Sequence, residues 1–323
     1  MISIAIPTYR RPRYLTEALE GITREVKDAG TTVEVIVQDN ASGDETKEIA
    51  ESFSDLSVSY RCNELNLGPS ENIVRACERC SGDYVFLLGD DDLIEPGMLG
   101  RVIKGATSDN RPGVISGPVS HFVDGETSQT GRLSFRNARG EDYVIEPGGL
   151  AVEHMFSRAT MLSGLVLRRD LLDAEGARRH SDSLYPQIYL AGFAGREAGA
   201  LYFAQSIASV RDNPVVEWSY SHDYMAGGVF KILDDLTANS AWAHGVRKRV
   251  TKRRVRSTYS PLHEARKDSF RAYLKTTRGL SSVSQYRKSP FFWVMVLGIG
   301  TLGIHGIGLL RSVLRLRLTN HVG

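Results

Sequence analysis

Residues 84–92 read Tyr-Val-Phe-Leu-Leu-Gly-Asp-Asp-Asp, an apolar run that ends in three consecutive carboxylates. The run has the length and composition of a buried β-strand, so Asp90, Asp91 and Asp92 are predicted to follow the strand at its carboxyl end. Adjacent carboxylates repel one another unless a cation neutralises them, and oxygen donors without Cys or His suit Mg²⁺ or Mn²⁺. The stretch therefore favours a metal–diphosphate site. The alternative is a solvated acidic turn or a helix N-cap, and the triplet alone does not decide between them.

Strand and helix signals alternate upstream and downstream of this run. Predicted strands occupy residues 2–6, 33–38, 58–61, 84–88 and 113–116, with helical patterns between them. This alternation is typical of an α/β fold with a mostly parallel central sheet and flanking helices. Ligands bind such sheets at the carboxyl ends of the strands. Polar side chains follow the predicted strands at those ends: Thr8, Tyr9, Arg10, Asp39, Asn40, Asn66 and the acidic triplet.

The charge of the chain is divided unevenly between its two ends. Residues 1–242 hold 23 Lys or Arg against 36 acidic residues, whereas residues 243–323 hold 17 against two. A basic appendage on an acidic body indicates an anionic partner, either a membrane or a nucleic acid.

Three cysteines are too few for a disulfide framework, and the sequence shows no signal peptide, so a cytosolic, reducing location is predicted. Residues 121–150, which are polar and glycine-rich, are predicted to form a long loop or lid.

Residues 291–310 carry no formal charge and are long enough to span a bilayer. They contain five glycines, however, and basic residues flank both sides. This pattern favours a helix or short hairpin in the membrane interface, with a true span and a soluble core or oligomer contact as alternatives. Residues 243–323 are therefore predicted to be a basic helical region that associates with an anionic membrane surface. The expected location is the cytoplasmic face of the inner membrane, peripheral or monotopic, and an oligomer is left open.

Four segments, residues 4–12, 35–46, 66–72 and 82–97, occur in the order and spacing of the GT-A-fold family 2 glycosyltransferases. In this part the chain resembles bacterial transferases that extend surface glycans, the abequosyltransferase-like group among them. The resemblance implies a GT-A domain over residues 1–242, with a nucleotide-sugar half (1–120) and an acceptor half (121–242). The chain departs from the family's pattern at Gly89, where the acidic motif often begins, and at Arg10, where Asn is common.

The resemblance also implies roles for individual residues. Residues Pro7, Thr8 and Tyr9 end the first strand, where backbone and an aromatic face hold the nucleobase. Asp39 accepts a hydrogen bond from the base or ribose, with Asp83 beside it. The remaining implied nucleotide-sugar contacts are Asn66, Asn72, Asp90, Asp91 and Arg10, the last of which otherwise reads as a surface residue.

The expected metal ligands are Asp90 and Asp92, because alternate residues of an extended segment point the same way, with Asp91 as the substitute. The metal, Mn²⁺ or Mg²⁺, offsets charge on the leaving diphosphate. The resemblance implies an inverting single displacement, in which a carboxylate takes the proton of the acceptor hydroxyl. Asp182 is the candidate base, and a helix N-cap is its alternative. Glu153 and His154 are the reserve pair for the base, with a position on a helix surface as their alternative. His222 and Asp223 are candidates for a metal or phosphate contact, but a solvated His222 is favoured.

The sequence thus predicts a metal-dependent inverting glycosyltransferase that uses a nucleotide diphosphate sugar. The expected acceptor is a glycan or a polyprenyl-linked saccharide in bacterial surface polysaccharide synthesis. One rival is a nucleotidyltransferase, although residues 8–12 lack the glycines of a phosphate loop. The other is a non-catalytic, membrane-bound protein that binds glycan or nucleic acid. The basic run 247–256 suits a phosphate backbone but lacks interleaved aromatics, so no nucleic-acid partner is predicted.

Overall fold

A computed structural model describes residues 1–124, 132–212 and 222–302, apart from the side chains of residues 222–227, 260 and 302. The described residues fall into two compact units, 1–212 and 222–302. The predicted functional division at residue 242 stays a prediction.

The first unit alternates strands and helices, as the sequence predicts. Its strands are β1 (Ile2–Thr8), β2 (Glu34–Asp39), β3 (Ser57–Cys62), β4 (Tyr84–Leu87), β5 (Leu93–Ile94), β6 (Val114–Ser116), β7 (Val119–Phe122), β8 (Leu133–Ser134), β9 (Tyr143–Ile145), β10 (Leu165–Arg168), β11 (Ala200–Tyr202) and β12 (Ala208–Arg211). Its α-helices are α1 (Pro12–Ala29), α2 (Thr46–Ser52), α3 (Pro69–Glu78), α4 (Met98–Ala106), α5 (Gly149–Arg158), α6 (Ala174–Arg178) and α7 (Pro186–Ala198).

The larger sheet has the strand order β3-β2-β1-β4-β10-β6-β11-β9. Strand β1 pairs in parallel with β2 and with β4, whereas β10 runs antiparallel between β4 and β6, and β9 runs antiparallel to β11. Six of the eight strands therefore share one direction. The prediction of a mostly parallel sheet with flanking helices is confirmed.

A smaller sheet has the order β5-β12-β7-β8. The acidic triplet connects the two sheets, because it follows β4 of the larger sheet and precedes β5 of the smaller one. The prediction of a long loop over residues 121–150 is wrong in part, since β8 and β9 lie within it. These strands are two and three residues long, too short for an alternation of apolar and polar residues to reveal them in the sequence. Residues 125–131 lie outside the described part.

The core of the first unit holds β1, β2 and β4 against α1. On α1, Leu15, Leu19 and Ile22 recur at helical spacing and are fully buried, beside Ile4 and Phe86 of the sheet. Burying each such side chain stabilises the fold by about 1.5–3 kcal/mol. This packing fixes the beginning of α1 next to the carboxyl ends of β1 and β4.

The second unit is helical in its described part, as predicted for the appendage. It comprises α8 (His222–Leu236), α9 (Ala243–Ser257), α10 (Tyr259–Asp268), α11 (Phe270–Ser282), α12 (Ser284–Arg287) and α13 (Pro290–Leu302). Among the described helices, none has both the length and the apolar character needed to cross a membrane. The end of the uncharged stretch, residues 303–310, lies outside the described residues.

Candidate active site at the strand ends

The carboxyl ends of β1, β2 and β4 bring three of the predicted segments together. The parallel register pairs Thr8 with Asp39 and Pro7 with Gln38. On the other side of β1, the Thr8 hydroxyl donates a hydrogen bond to Asp90 Oδ2 at 2.7 Å. The first strand therefore joins the predicted nucleobase segment to the predicted metal segment at a single edge of the sheet.

The acidic triplet forms a turn rather than an extended segment. The Asp92 N–H donates to the Gly89 carbonyl at 3.2 Å, which closes the turn. A Cβ at position 89 would lie 2.8 Å from Asp92 Oδ2, so glycine leaves room for this carboxylate to fold back. The triplet is therefore not the extended segment on which the choice of Asp90 and Asp92 rested, and their role as metal ligands stays a prediction.

The three carboxylates have different surroundings. Asp90 and Asp92 are buried, and burial together with repulsion from Asp91 raises the pKa of both. Asp92 accepts hydrogen bonds from the Ser163 hydroxyl and from the Arg211 backbone N–H, the latter at 2.9 Å. The Asp91 side chain is 21% exposed, against 7% for Asp90. Of the three, Asp91 is the acid that a solvent-borne ligand reaches most readily.

Arg11 supplies the cation that faces the triplet. Its Nη1 lies 3.2 Å from Asp90 Oδ1 and 2.8 Å from Asp91 Oδ2. Burial lowers the pKa of Arg11, but attraction by Asp90 and Asp91 outweighs burial and raises the pKa above its ordinary value. Sequence reasoning missed this residue, although the Arg10-Arg11 pair after the first strand was a usable signal.

Arg10 lies on the surface beside this cluster. Its backbone adopts a left-handed φ of 55°, its N–H donates to Ser42 Oγ at 2.8 Å, and its guanidinium lies 5.1 Å from the centre of the Tyr9 ring. Turning the backbone at Arg10 directs the next residue, Arg11, towards the carboxylates. Arg10 is exposed, and its contact with a diphosphate stays a prediction.

Asp39 is buried at the end of β2 and is held by protein donors. Its Oδ1 accepts from the Ser42 N–H at 3.1 Å, and its Oδ2 accepts from the Tyr60 hydroxyl at 2.6 Å. These bonds fix the loop that follows β2. The contact of Asp39 with a base or ribose stays a prediction.

Asp83 does not lie beside Asp39, contrary to expectation. It precedes β4 at the opposite edge of the sheet, where Ile2 pairs with Tyr84, and it forms an ion pair with the N-terminal ammonium of Met1. Because β1, β2 and β4 are parallel, the beginning of one strand cannot meet the end of another.

Asn66 and Asn72 belong to an amide network next to the strand ends. Asn72 Nδ2 donates to the Gln38 carbonyl at 2.9 Å, and its Oδ1 accepts from Asn63 Nδ2 at 2.9 Å. Asn66 Oδ1 accepts from Asn40 Nδ2 at 2.8 Å. The network holds the segment between β3 and α3 against β2, and contacts of Asn66 and Asn72 with a nucleotide stay predictions.

Asp182 lies in the 3₁₀ turn Ser181–Ser183, which packs on α3, and its side chain is exposed. The alternative of an N-cap is wrong for α7, whose N-cap is Tyr185. The role of Asp182 as the base stays a prediction.

In the reserve pair, the His154 ring packs edge-on against Tyr202 with their centroids 4.8 Å apart. The side chains of His222 and Asp223 lie outside the described residues.

The segment that holds these strand ends also matches a known family. Residues 3–161 match the family model described as Glycosyl transferase family 2. The chain carries a family 2 glycosyltransferase domain.

Two curated relatives match this domain over part of their length. Abequosyltransferase RfbV of Salmonella typhimurium is 36% identical over 97 residues, which are 29% of this chain and 29% of that protein. The GalNAc(5)-diNAcBac-PP-undecaprenol beta-1,3-glucosyltransferase of Campylobacter jejuni is 30% identical over 109 residues, which are 32% of this chain and 34% of that protein. The matched part thus spans about a third of either relative.

Solved structures of similar fold align with nearly the whole chain. S. aureus TarS 1-349 in complex with UDP has a TM-score of 0.60 at 13% identity, covering 97% of this chain and 91% of that one. Mannosyltransferase PcManGT from Pyrobaculum calidifontis, in complex with GDP-Man and Mn²⁺, has a TM-score of 0.52 at 14% identity, covering 99% and 81%. At these identities the likeness shows the fold, which is GT-A, as the sequence predicted.

Asp90 and Asp91 are the candidate ligands for a divalent cation. Within residues 1–124, 132–212 and 222–302, no group of three His, Cys, Asp or Glu side chains is arranged to hold a metal ion. Oxygens of Asp90 and Asp91, however, already converge on a single cationic group, Arg11 Nη1. Mg²⁺ and Mn²⁺ sites of phosphate-transfer type use one or two carboxylates and complete the coordination with water and phosphate oxygens. The donor set therefore fits such a cation.

Arg211 of the first unit is a second residue that sequence reasoning missed. Its guanidinium donates to the Asp91 carbonyl at 3.0 Å, pairs with Glu17 and Asp124, and lies between the rings of Tyr14 and Phe122. Strand β12 thereby ties the acidic turn to α1 and to the smaller sheet. The local sequence gives no signal for this role, because Arg211 stands 120 positions after Asp91.

Proposed function

We propose that this chain is a metal-dependent, inverting glycosyltransferase that moves a sugar from a nucleotide diphosphate donor. The observation that carries the proposal is the convergence of Thr8, Arg11 and the acidic turn at the ends of β1 and β4, within the segment that matches family 2. A cationic arginine and two carboxylates at one strand edge can position a diphosphate together with its counter-ion.

In the proposed reaction, the acceptor hydroxyl oxygen forms a bond to the anomeric carbon. The bond from that carbon to the diphosphate oxygen breaks, and its electron pair leaves with the nucleoside diphosphate. The proton of the acceptor passes to a carboxylate, for which Asp182 is the candidate. We assign Mn²⁺ or Mg²⁺ to Asp91 and Asp90 rather than to Asp90 and Asp92, because the first two share one cation here. The bound metal supplies positive charge that offsets the charge developing on the diphosphate.

The proposed acceptor is a glycan or a polyprenyl-linked saccharide of a bacterial surface polysaccharide, reached at the cytoplasmic face of the inner membrane. The name of the Campylobacter jejuni relative, which specifies an undecaprenol-linked substrate, supports this class. The excess of 17 Lys or Arg over two acids in residues 243–323 supports an anionic membrane surface as a partner. The nucleotidyltransferase alternative is less favoured because α1 begins at Pro12 with no glycine between it and β1.

Donor use is tested by incubating the full chain with a panel of UDP-, GDP-, CDP- and dTDP-sugars in the presence of Mn²⁺. We expect at least one donor to be hydrolysed slowly without an acceptor, and to raise the melting temperature only when Mn²⁺ is present. The control adds EDTA, which should abolish both effects. If no donor of the panel bound or reacted, the transferase proposal would be wrong.

Arg11 and a free divalent cation are expected to compete for the same two carboxylates. Without nucleotide, Arg11→Gln should bind Mn²⁺ about fivefold more tightly than the wild type, because roughly 1 kcal/mol of competing ion pairing is removed. Titration calorimetry or Mn²⁺ electron paramagnetic resonance measures the affinity. Arg10→Gln is the matched control, since it removes the same charge one residue away from the cluster. Equal effects of the two changes would contradict a direct contact of the metal with Asp90 and Asp91.

A further inference from the structure

Helix α13 of the second unit is apolar on two opposite faces. Its inner face is buried and includes Phe292, Met295 and Ile299. The other face, here called the α13 outer face, consists of Trp293, Val294 and Leu297, which are 38%, 46% and 64% exposed. A surface helix normally turns charged or polar residues to water, whereas a helix that is apolar all round lies in a core or against a membrane.

The position of α13 is fixed by its inner face. The Tyr273 hydroxyl of α11 donates a hydrogen bond to the Val296 carbonyl, and the ring of Phe292 stacks on Tyr286 with their centroids 6.1 Å apart. Turning α13 about its axis to bury Leu297 would break these contacts. The exposed position of the outer face therefore follows from the packing within the second unit.

Basic residues border the α13 outer face. The Trp293 indole N–H donates to the Arg287 carbonyl at 2.8 Å, so Trp293 lies at the end of α12, where Arg287 and Lys288 are exposed. An indole with one apolar side and one hydrogen-bonded N–H, next to cationic side chains, suits the boundary between lipid headgroups and acyl chains.

The charge of the second unit is complementary to an anionic surface. Residues 243–302 contain 14 Lys or Arg against Glu264 and Asp268. On α11, Arg271, Lys275 and Arg278 are exposed at helical spacing. Such an excess of positive charge on this unit opposes the approach of a second copy of the unit and favours anionic lipid headgroups.

We propose that the α13 outer face docks on the surface of an anionic lipid bilayer. Trp293, Val294 and Leu297 enter the interfacial layer, and Arg287 and Lys288 contact the phosphates of the headgroups. A helix that lies in the interface plane does not need the length of a membrane span. This inference deepens the membrane partner proposed above and rests on that part of the proposed function, whereas donor hydrolysis is measured independently of it.

The test measures binding of the full chain to vesicles of phosphatidylcholine with and without 30% phosphatidylglycerol. We expect the wild type to float with the anionic vesicles only. The double variant Trp293→Gln/Leu297→Gln should lose about 10- to 100-fold in partition, because two apolar side chains no longer leave water. Leu150→Gln is the matched control, since Leu150 of the first unit is 66% exposed, close to the exposure of Leu297. It should bind like the wild type.

A second set of measurements separates the contribution of charge to vesicle binding from that of apolar contact. Arg287→Gln/Lys288→Gln should lower binding to anionic vesicles about tenfold, and raised salt should lower wild-type binding in the same direction. All variants should hydrolyse donor in solution at the wild-type rate. The inference is overturned if the wild type ignores anionic vesicles or if the Trp293/Leu297 variant binds them unchanged. It is also overturned if that variant only converts a dimer to a monomer, since a second copy would then cover the face.

Discussion

Replacing Asp91 with Asn should lower turnover about 1,000-fold and abolish measurable Mn²⁺ binding, while the chain stays folded. Asp91 is the most exposed acid of the triplet, and its carboxylate already faces a cation, Arg11 Nη1, at 2.8 Å. Loss of this oxygen donor removes metal stabilisation of the leaving diphosphate, which is worth several kcal/mol in a transition state. Initial rates with saturating donor and Mn²⁺, together with a metal titration, measure the two effects.

The matched control is Asp92→Asn, one position along the same turn. An asparagine can keep both hydrogen bonds of Asp92, accepting from the Arg211 N–H with its oxygen and donating to Ser163 Oγ with its amide. We therefore expect Mn²⁺ affinity and turnover within about tenfold of the wild type. The amide also removes one charge from a crowded, buried site, so the melting temperature should not fall. The reverse ranking of the two variants would return the metal to Asp92, the ligand first expected from the sequence.

The sequence was sufficient to locate this site because the residues that build it end parallel strands. Apolar runs predicted β1, β2 and β4, and the parallel arrangement places Thr8, Asp39 and Asp90 at one edge whatever the details of the loops. The same logic applied strictly would have excluded Asp83, which precedes β4 rather than following it. Strand direction, which a sequence pattern indicates well, therefore decided most of what was correct.

The features of the site that the sequence did not predict depend on local backbone geometry and on contacts between residues far apart in the chain. Arg11 faces the carboxylates because the backbone at Arg10 is left-handed. The different exposure of the three acids follows from the turn that the Gly89–Asp92 hydrogen bond closes. Neither conformation is specified by hydrophobic periodicity. Ser163, just before β10, and Arg211, on β12, approach Asp92 from 71 and 119 positions away. Only the folded sheets define which strands are neighbours there.

Replacing Arg211 with Met should lower the free energy of unfolding of the first unit by about 3 kcal/mol. The Arg211 side chain is 3% exposed and pairs with Glu17 and Asp124, which are 34% and 35% exposed. Removing a buried cation leaves two carboxylates without their shared partner, and this costs more than the loss of an exposed ion pair. Turnover should also fall, because the Asp91 carbonyl loses the donor that holds the acidic turn. Urea unfolding followed by far-ultraviolet circular dichroism measures the stability.

Arg13→Met is the control that isolates burial from charge. Arg13 pairs with the same Glu17 at 3.2 Å, but its side chain is 74% exposed, so its loss should cost less than about 1 kcal/mol. The two variants remove the same functional group from the same carboxylate, and their difference measures what burial adds. Arg211→Lys should fall between them, because one ammonium nitrogen keeps the charge but cannot take the three positions from which Nε, Nη1 and Nη2 donate. Equal losses from Arg13→Met and Arg211→Met would mean that Arg211 acts only as one more surface charge, and that its side chain does not help to hold the acidic turn.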